Sequence, residues 1–228
     1  MINYIYANGC SYVAGAGLIL HTKKKLNDLK YYLKTSVHLL AEELNCEYFN
    51  NAKGGGSNQR IVRTTINWLL ENKDKWNEVL VLIGWTGILR YEIQQGKKWK
   101  QMKSYDGNPD EMLSKYLDSI LYLQLFLEAN NIKYIFWNTF TENLEKKNND
   151  KWNYINKEHW ATGEYGSWEI YLEELDKEHN VRIGGHTKWE TVNGVLDKDV
   201  YHDVHTNELV HKFWYEEIKN KAKELSYI

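Results

Sequence analysis

The chain of 228 residues contains one proline, two cysteines and no long apolar run. Two thiols, Cys10 and Cys46, make neither a disulfide framework nor a zinc ligand pattern, so a reducing compartment is the simpler setting. The longest apolar stretches, at residues 79–83 and 134–137, fall far short of the ~20 residues that a membrane-crossing helix needs. The N-terminus lacks the basic and apolar regions of a signal peptide. A soluble, cytoplasmic protein is expected, virion-associated if the gene is a phage's. Charge of one sign is also missing: 29 basic and 31 acidic residues give a net charge of −2. That balance argues against nucleic acid or an anionic membrane as a general partner, and any anion would need a local site. No internal repeat or low-complexity tract is present, and the length suits one domain. The sequence gives no reading of oligomeric state.

What the chain has in quantity is asparagine, 23 residues, and aromatics, with 10 Trp and 17 Tyr. The Asn, Lys and Ile content with so little proline fits an AT-rich genome, as in phages and many bacteria. Several rings fall in the polar stretch 99–189. Most such rings pack in cores, and a surface that binds sugar or protein is the alternative.

Hydrophobic periodicity lays out an alternating order. Residues 3–7 read as a first strand and 46–50 as a second. Residues 79–83 are a continuous apolar run of the kind a buried parallel strand shows, and 132–137 read as a fourth strand. Between them, residues 26–44 carry Leu29, Leu33, Val37, Leu40 and Leu44 at helical spacing, and 58–70 place Ile61, Val62, Thr65, Ile66, Leu69 and Leu70 on one stripe. Helices are also expected at 112–127 and 207–225. This order predicts an α/β protein of three α/β/α layers around a flavodoxin-like parallel sheet of about five strands. Two stretches break it, 91–109 and 141–200. The second is read as an aromatic-rich insertion over the active-site edge of a single domain spanning 1–228, with a short helix near 168–175 and a strand at 181–183.

Binding sites in such sheets lie at the carboxyl ends of the strands, where three short blocks fall. Gly9-Cys10-Ser11 follows the first strand among small neighbours, and is either an exposed nucleophile or a turn with a helix-capping serine. The run Gly54–Gly56 exposes backbone N–H groups just before a helix, suited to an oxyanion or a phosphate. It lacks the ending of a P-loop and the spacing of a dinucleotide fingerprint. Asn58 is a helix cap or an active-site amide. Gly84-Trp85-Thr86 ends the third strand, with Thr86 offering a hydroxyl; Arg90 and Glu92 form a surface ion pair or brace the loop. Near the C-terminus, His205 is the candidate base for Ser11, and Asp203 the group that orients it. His202 lies in similar register but is no carboxylate, and His211 on the closing helix reads as structural.

These blocks in this order resemble the SGNH hydrolase superfamily, the GDSL-type esterases and lipases, and look most like divergent members found in phage genomes. The resemblance implies Ser11 as nucleophile, with Cys10 where the family carries Asp. It matches Asn51-Ala52 and Gly56 to the family's Asn-Ala and oxyanion glycine, and puts Thr86 at the position of the oxyanion-hole Asn. Asp203-Val204-His205 resembles the family's Asp and His, one residue closer together, with Thr206 in place of Pro.

What this implies is a serine hydrolase of small ester groups, in particular a carbohydrate O-acetyl esterase. The oxyanion would be held by the N–H groups of Ser11 and Gly56 with help from Thr86 or Asn58, and no metal or organic cofactor is required. Two rivals are a catalytically impaired scaffold, serving as a phage structural or glycan- or partner-binding protein, and a flavodoxin-like binder of a phosphorylated ligand at 54–58.

Overall fold

The computed structural model describes residues 1–19, 33–103, 108–140, 150–161, 167–168, 170, 191–192, 195–196 and 208–228. In chain order its elements are strand β1 (Tyr4–Asn8), a single helical turn α1 (Ser11–Ala14), helix α2 (Ser36–Leu44), strand β2 (Glu47–Asn50) and helix α3 (Asn58–Glu71). Strand β3 (Val79–Trp85), a hairpin of β4 (Arg90–Gln95) and β5 (Lys98–Lys103), helix α4 (Pro109–Ala129) and strand β6 (Lys133–Asn138) follow. Two short strands, β7 (Thr191–Val192) and β8 (Val195–Leu196), precede the closing helix α5 (Glu208–Glu224).

The central sheet has four strands among the described residues, in the order β2-β1-β3-β6 and parallel throughout. The α/β prediction holds, with four strands where about five were expected. The sheet explains the apolar run of β3: every residue from Val79 to Trp85 is buried because both faces of the strand are covered. Leu80 and Leu82 join Ala7, Ile135 and Trp137 in the core shared with α2 and α5. Val79, Val81, Ile83 and Trp85 face the other way, with Tyr6, Tyr134 and Phe136, into the core under α3 and α4. The period-two alternation therefore sorts one strand between two cores.

Three boundaries differ from the periodicity. Helix α2 starts at Ser36, because the Thr35 side chain accepts the His38 N–H and caps it; Leu33 and Lys34 are not helical. Helix α4 starts earlier than its apolar stripe, with Asn108 as cap and Pro109 in the first turn. The expected irregular stretch at 91–109 holds the β4–β5 hairpin.

Of the insertion at 141–200, the expected strand at 181–183 lies outside the described residues, as does the expected helix near 168–175 apart from Trp168 and Ile170. The described parts close the structure. Ala161 donates its N–H to the Phe136 carbonyl at 2.9 Å, and Trp160 forms a parallel bridge with Phe136, so this segment covers the free edge of β6. Trp168 is fully buried and stacks on Trp214 of α5 at 4.9 Å. Among the described rings of this stretch, Trp160 and Trp168 are core, whereas Tyr154 is 73% exposed and Trp99 on the hairpin 44% exposed.

Candidate active site

Ser11 is the first residue of α1, and its helix cap is the preceding Cys10, which makes no side-chain cap bond. Ser11 is therefore not a capping serine. Ser11 is buried, 8% exposed, and its hydroxyl bonds to no described residue. Cys10 is fully buried and free.

Backbone contacts pull the three blocks together. The Gly9 carbonyl accepts the Lys53 N–H at 3.1 Å, tying the glycine run to the turn that carries Ser11. A Cβ placed on Gly56 would sit 3.2 Å from the Gly9 carbonyl oxygen, and one on Gly9 would sit 2.9 Å from that of Gly84. Gly84 is closed in as well, since its Cβ would meet Val13 at 2.6 Å and the Trp137 ring at 2.8 Å. The three glycines are needed because three strand ends crowd into one place. Gly55 has a φ of +71°, a conformation that glycine adopts without strain.

The expected oxyanion donors are largely engaged. The Gly56 N–H donates to the Lys53 carbonyl at 2.9 Å. Asn58 is neither the cap nor an available amide: Ser57 caps α3, and Asn58 clamps Thr86. Its Nδ2 donates to the Thr86 carbonyl at 3.0 Å and to that of Gly87 at 3.5 Å, while its Oδ1 accepts the Thr86 N–H at 2.9 Å. Thr86 is fully buried, and its hydroxyl accepts from Arg90 at 2.6 Å. Arg90 and Glu92 consequently do not pair with each other. Glu92 takes a bidentate bond from Arg63 of α3, both contacts at 2.9 Å.

Beneath this edge lies a buried polar network that sequence reasoning missed. The Asn8 amide donates to Thr64 at 2.9 Å and Thr65 at 3.0 Å, and its oxygen accepts the Gly9 N–H at 2.9 Å. Arg60 donates to the Asn51 carbonyl at 2.9 Å and to Asn8 at 3.3 Å. Burial holds the Tyr6 phenol above its usual range and the Arg60 guanidinium below its own. The one available signal was the polar spacing Asn58, Gln59, Arg60, Arg63, Thr64 on a helix otherwise striped with apolar residues. Each of these five side chains fastens α3 to a strand end, to the hairpin or to the helix backbone.

Asp203 and His205, with His202, lie outside the described residues. His211 is fully buried on α5, where its Nδ1 accepts the Ser36 N–H at 3.2 Å. Burial pushes its pKa down to about 3, so it is a neutral structural imidazole.

The chain as a whole is similar to solved structures. An acetyl xylan esterase from the rumen bacterium Butyrivibrio proteoclasticus superposes with a TM-score of 0.52 over 99% of this chain and 65% of its own, at 12% identity. The chain has the SGNH hydrolase fold. A carbohydrate esterase family 2 enzyme with a carbohydrate-binding domain, from Corynascus thermopiles (Myceliophthora fergusii), gives a TM-score of 0.51 over 98% of this chain and 67% of its own, at 15% identity. Residues 22–120 match the model of a family of unknown function (DUF6071). No curated protein matches the sequence. An SGNH fold at such identities fixes the architecture, and the site must speak for the chemistry.

Proposed function

We propose that this protein hydrolyses small esters, with Ser11 as nucleophile, His205 as base and Asp203 as the residue that orients the imidazole. The observation that carries the reading is Ser11 itself: a serine that caps nothing, whose hydroxyl has no described hydrogen-bond partner, in a turn wedged between two glycine-rich strand ends. Ser11 Oγ would attack the acyl carbon while its proton passes to His205; the alkoxide leaves with that proton, and water, deprotonated by His205, releases the acid and regenerates Ser11. The Ser11 and Gly56 N–H groups are the backbone oxyanion donors of this proposal, the second shared with or released from the Lys53 carbonyl.

The substrate class we propose is an acetylated carbohydrate. Two observations support it: both neighbours described above are carbohydrate esterases by name, and Trp99, with Arg63 over its ring at 4.4 Å, is still 44% exposed on the hairpin that leans on the glycine run. Sugars stack on such rings.

A fluorophosphonate serine probe tests the chemistry. Labelling of the wild type that is lost in Ser11→Ala and in His205→Ala, with both variants folded, is the expected result. An unlabelled, folded wild type would replace the enzyme with a non-catalytic scaffold. That second reading is favoured by one observation, the commitment of the Gly56 N–H and the Asn58 amide to backbone carbonyls. Release of acetate from acetylated xylan, dependent on Ser11, tests the sugar assignment separately from cleavage of p-nitrophenyl acetate.

A further inference from the structure

The hairpin β4–β5 is fastened to α3 at two points: Arg63 grips Glu92, and the Gln59 side chain accepts the Glu92 N–H at 3.2 Å. Directly across the ladder from Glu92 stands Gln101 of β5. The same fastening that fixes Glu92 therefore fixes Gln101, whose amide lies over the glycine run. Its Oε1 is 3.7 Å from the Cβ position of Gly55, and its Nε2 is 3.9 Å from that of Gly56.

The Gln101 Nε2 is buried and has no hydrogen-bond partner among the described residues. Buried amide donors are rarely left without an acceptor, and a group in that state calls for an explanation. A ligand oxygen at the glycine run supplies one. Of the other candidate donors, the Asn58 amide holds the Thr86 backbone and the Gly56 N–H closes its turn on Lys53, while the fully buried Thr86 hydroxyl is held as an acceptor by Arg90. Among the described side-chain amides around this edge, Gln101 is the one whose donor is buried without an acceptor.

Resting on the esterase reading above, we infer that Gln101 supplies the side-chain amide donor to the oxyanion, reaching in from the hairpin in place of the asparagine that Thr86 has replaced. The hairpin thereby becomes part of the active site. An amide donor there needs no pKa change and transfers no proton; it stabilises charge that develops on the acyl oxygen during attack by Ser11.

The test compares wild type with Gln101→Met, which keeps the volume and removes the donor, and Gln101→Glu, which turns an acceptor toward the oxyanion. Gln94→Met, at the exposed hairpin end, is the control. Turnover of p-nitrophenyl acetate and the rate of Ser11 labelling by the fluorophosphonate are measured beside melting temperature. The expected result is a fall in kcat of about 100-fold or more for Gln101→Met with KM little changed, since loss of one such donor costs ~10²–10³. Gln101→Glu should lose more, and Gln94→Met nothing. Wild-type kcat in Gln101→Met, a change confined to KM, or a loss that follows a lowered melting temperature in both variants would overturn the assignment while leaving Ser11 in place. A wild type that neither labels nor turns over would overturn the esterase reading, and this one with it.

Discussion

Asn58 and Thr86 hold each other by a reciprocal pair of hydrogen bonds, side-chain oxygen to backbone N–H at 2.9 Å and side-chain amide to backbone carbonyl at 3.0 Å. Asn58 is 3% exposed and Thr86 is fully buried, so water cannot replace either bond. The pair fixes the first residue of α3 to the chain leaving β3, and with it the spacing between the second and third blocks of the site. Asn58→Ala leaves a buried N–H and carbonyl unsatisfied, which costs about 1–3 kcal/mol. Asn58→Asp should cost more, because a carboxylate would face the two carbonyls that the amide now serves. Urea unfolding measures both; a midpoint equal to wild type for either variant would mean that the clamp carries no stability.

The hairpin depends on Arg63. The Glu92 side chain is 2% exposed and that of Arg63 is 30% exposed, so removing the arginine strands a buried carboxylate. Breaking such a pair from one side costs ~3–5 kcal/mol when both partners are buried, and Arg63→Ala should fall at the lower end of that range. Arg63→Met with Glu92→Met should recover much of the loss, since neither charge then needs a partner. Amide hydrogen exchange across β4 and β5 reads the effect locally: faster exchange in Arg63→Ala than in the double variant is expected.

Gly84→Ala tests the crowding of the strand ends. A methyl there would lie 2.6 Å from Val13 and 2.8 Å from the Trp137 ring, both in the core. Overpacking of this kind costs about 1–3 kcal/mol. The expected outcome is a lowered melting temperature, and a variant that melts with the wild type would show that Val13 and Trp137 can move aside.

His211 makes stability depend on pH. Its folded pKa is about 3, below the ~6.5 of an unfolded histidine. Between those values the unfolded chain binds a proton that the folded chain excludes, so stability is complete above the unfolded pKa and falls as pH drops toward the folded one. The slope approaches about 1.4 kcal/mol per pH unit for a fully excluded proton. Melting curves from pH 7.5 to 4.5 should show a steeper decline for wild type than for His211→Gln, which keeps an acceptor for the Ser36 N–H. Parallel declines would remove His211 as the cause.

Much of the fold was legible because it rests on local periodicity. The run 79–83 announced a strand buried on both faces, and the stripe from Ile61 to Leu69 announced α3. The hairpin at 90–103 was not legible: its residues pair with one another and lean on α3 through Arg63 and Gln59, contacts that leave no period in the chain. The start of α2 was misplaced because the apolar pattern ran on through Leu33, whereas the Thr35 cap decides where the helix begins.

The site divides in the same way. Gly9, Gly56, Gly84 and Ser11 could be picked out by residue type and order alone, because a crowded turn at a strand end demands small residues wherever it occurs. The partners of Asn58, Thr86, Arg90 and Glu92 could not. Each of those side chains had several chemically reasonable neighbours along the chain, and the choice was made by which elements the parallel sheet brings side by side. The sequence by itself determined the alternation of elements and the residues that crowd the strand ends, since both follow from local chemistry. Only the tertiary structure decided which donors are engaged and which is left over, because a hydrogen bond between residues 28 positions apart, as from Asn58 to Thr86, exists only once the sheet has closed the distance.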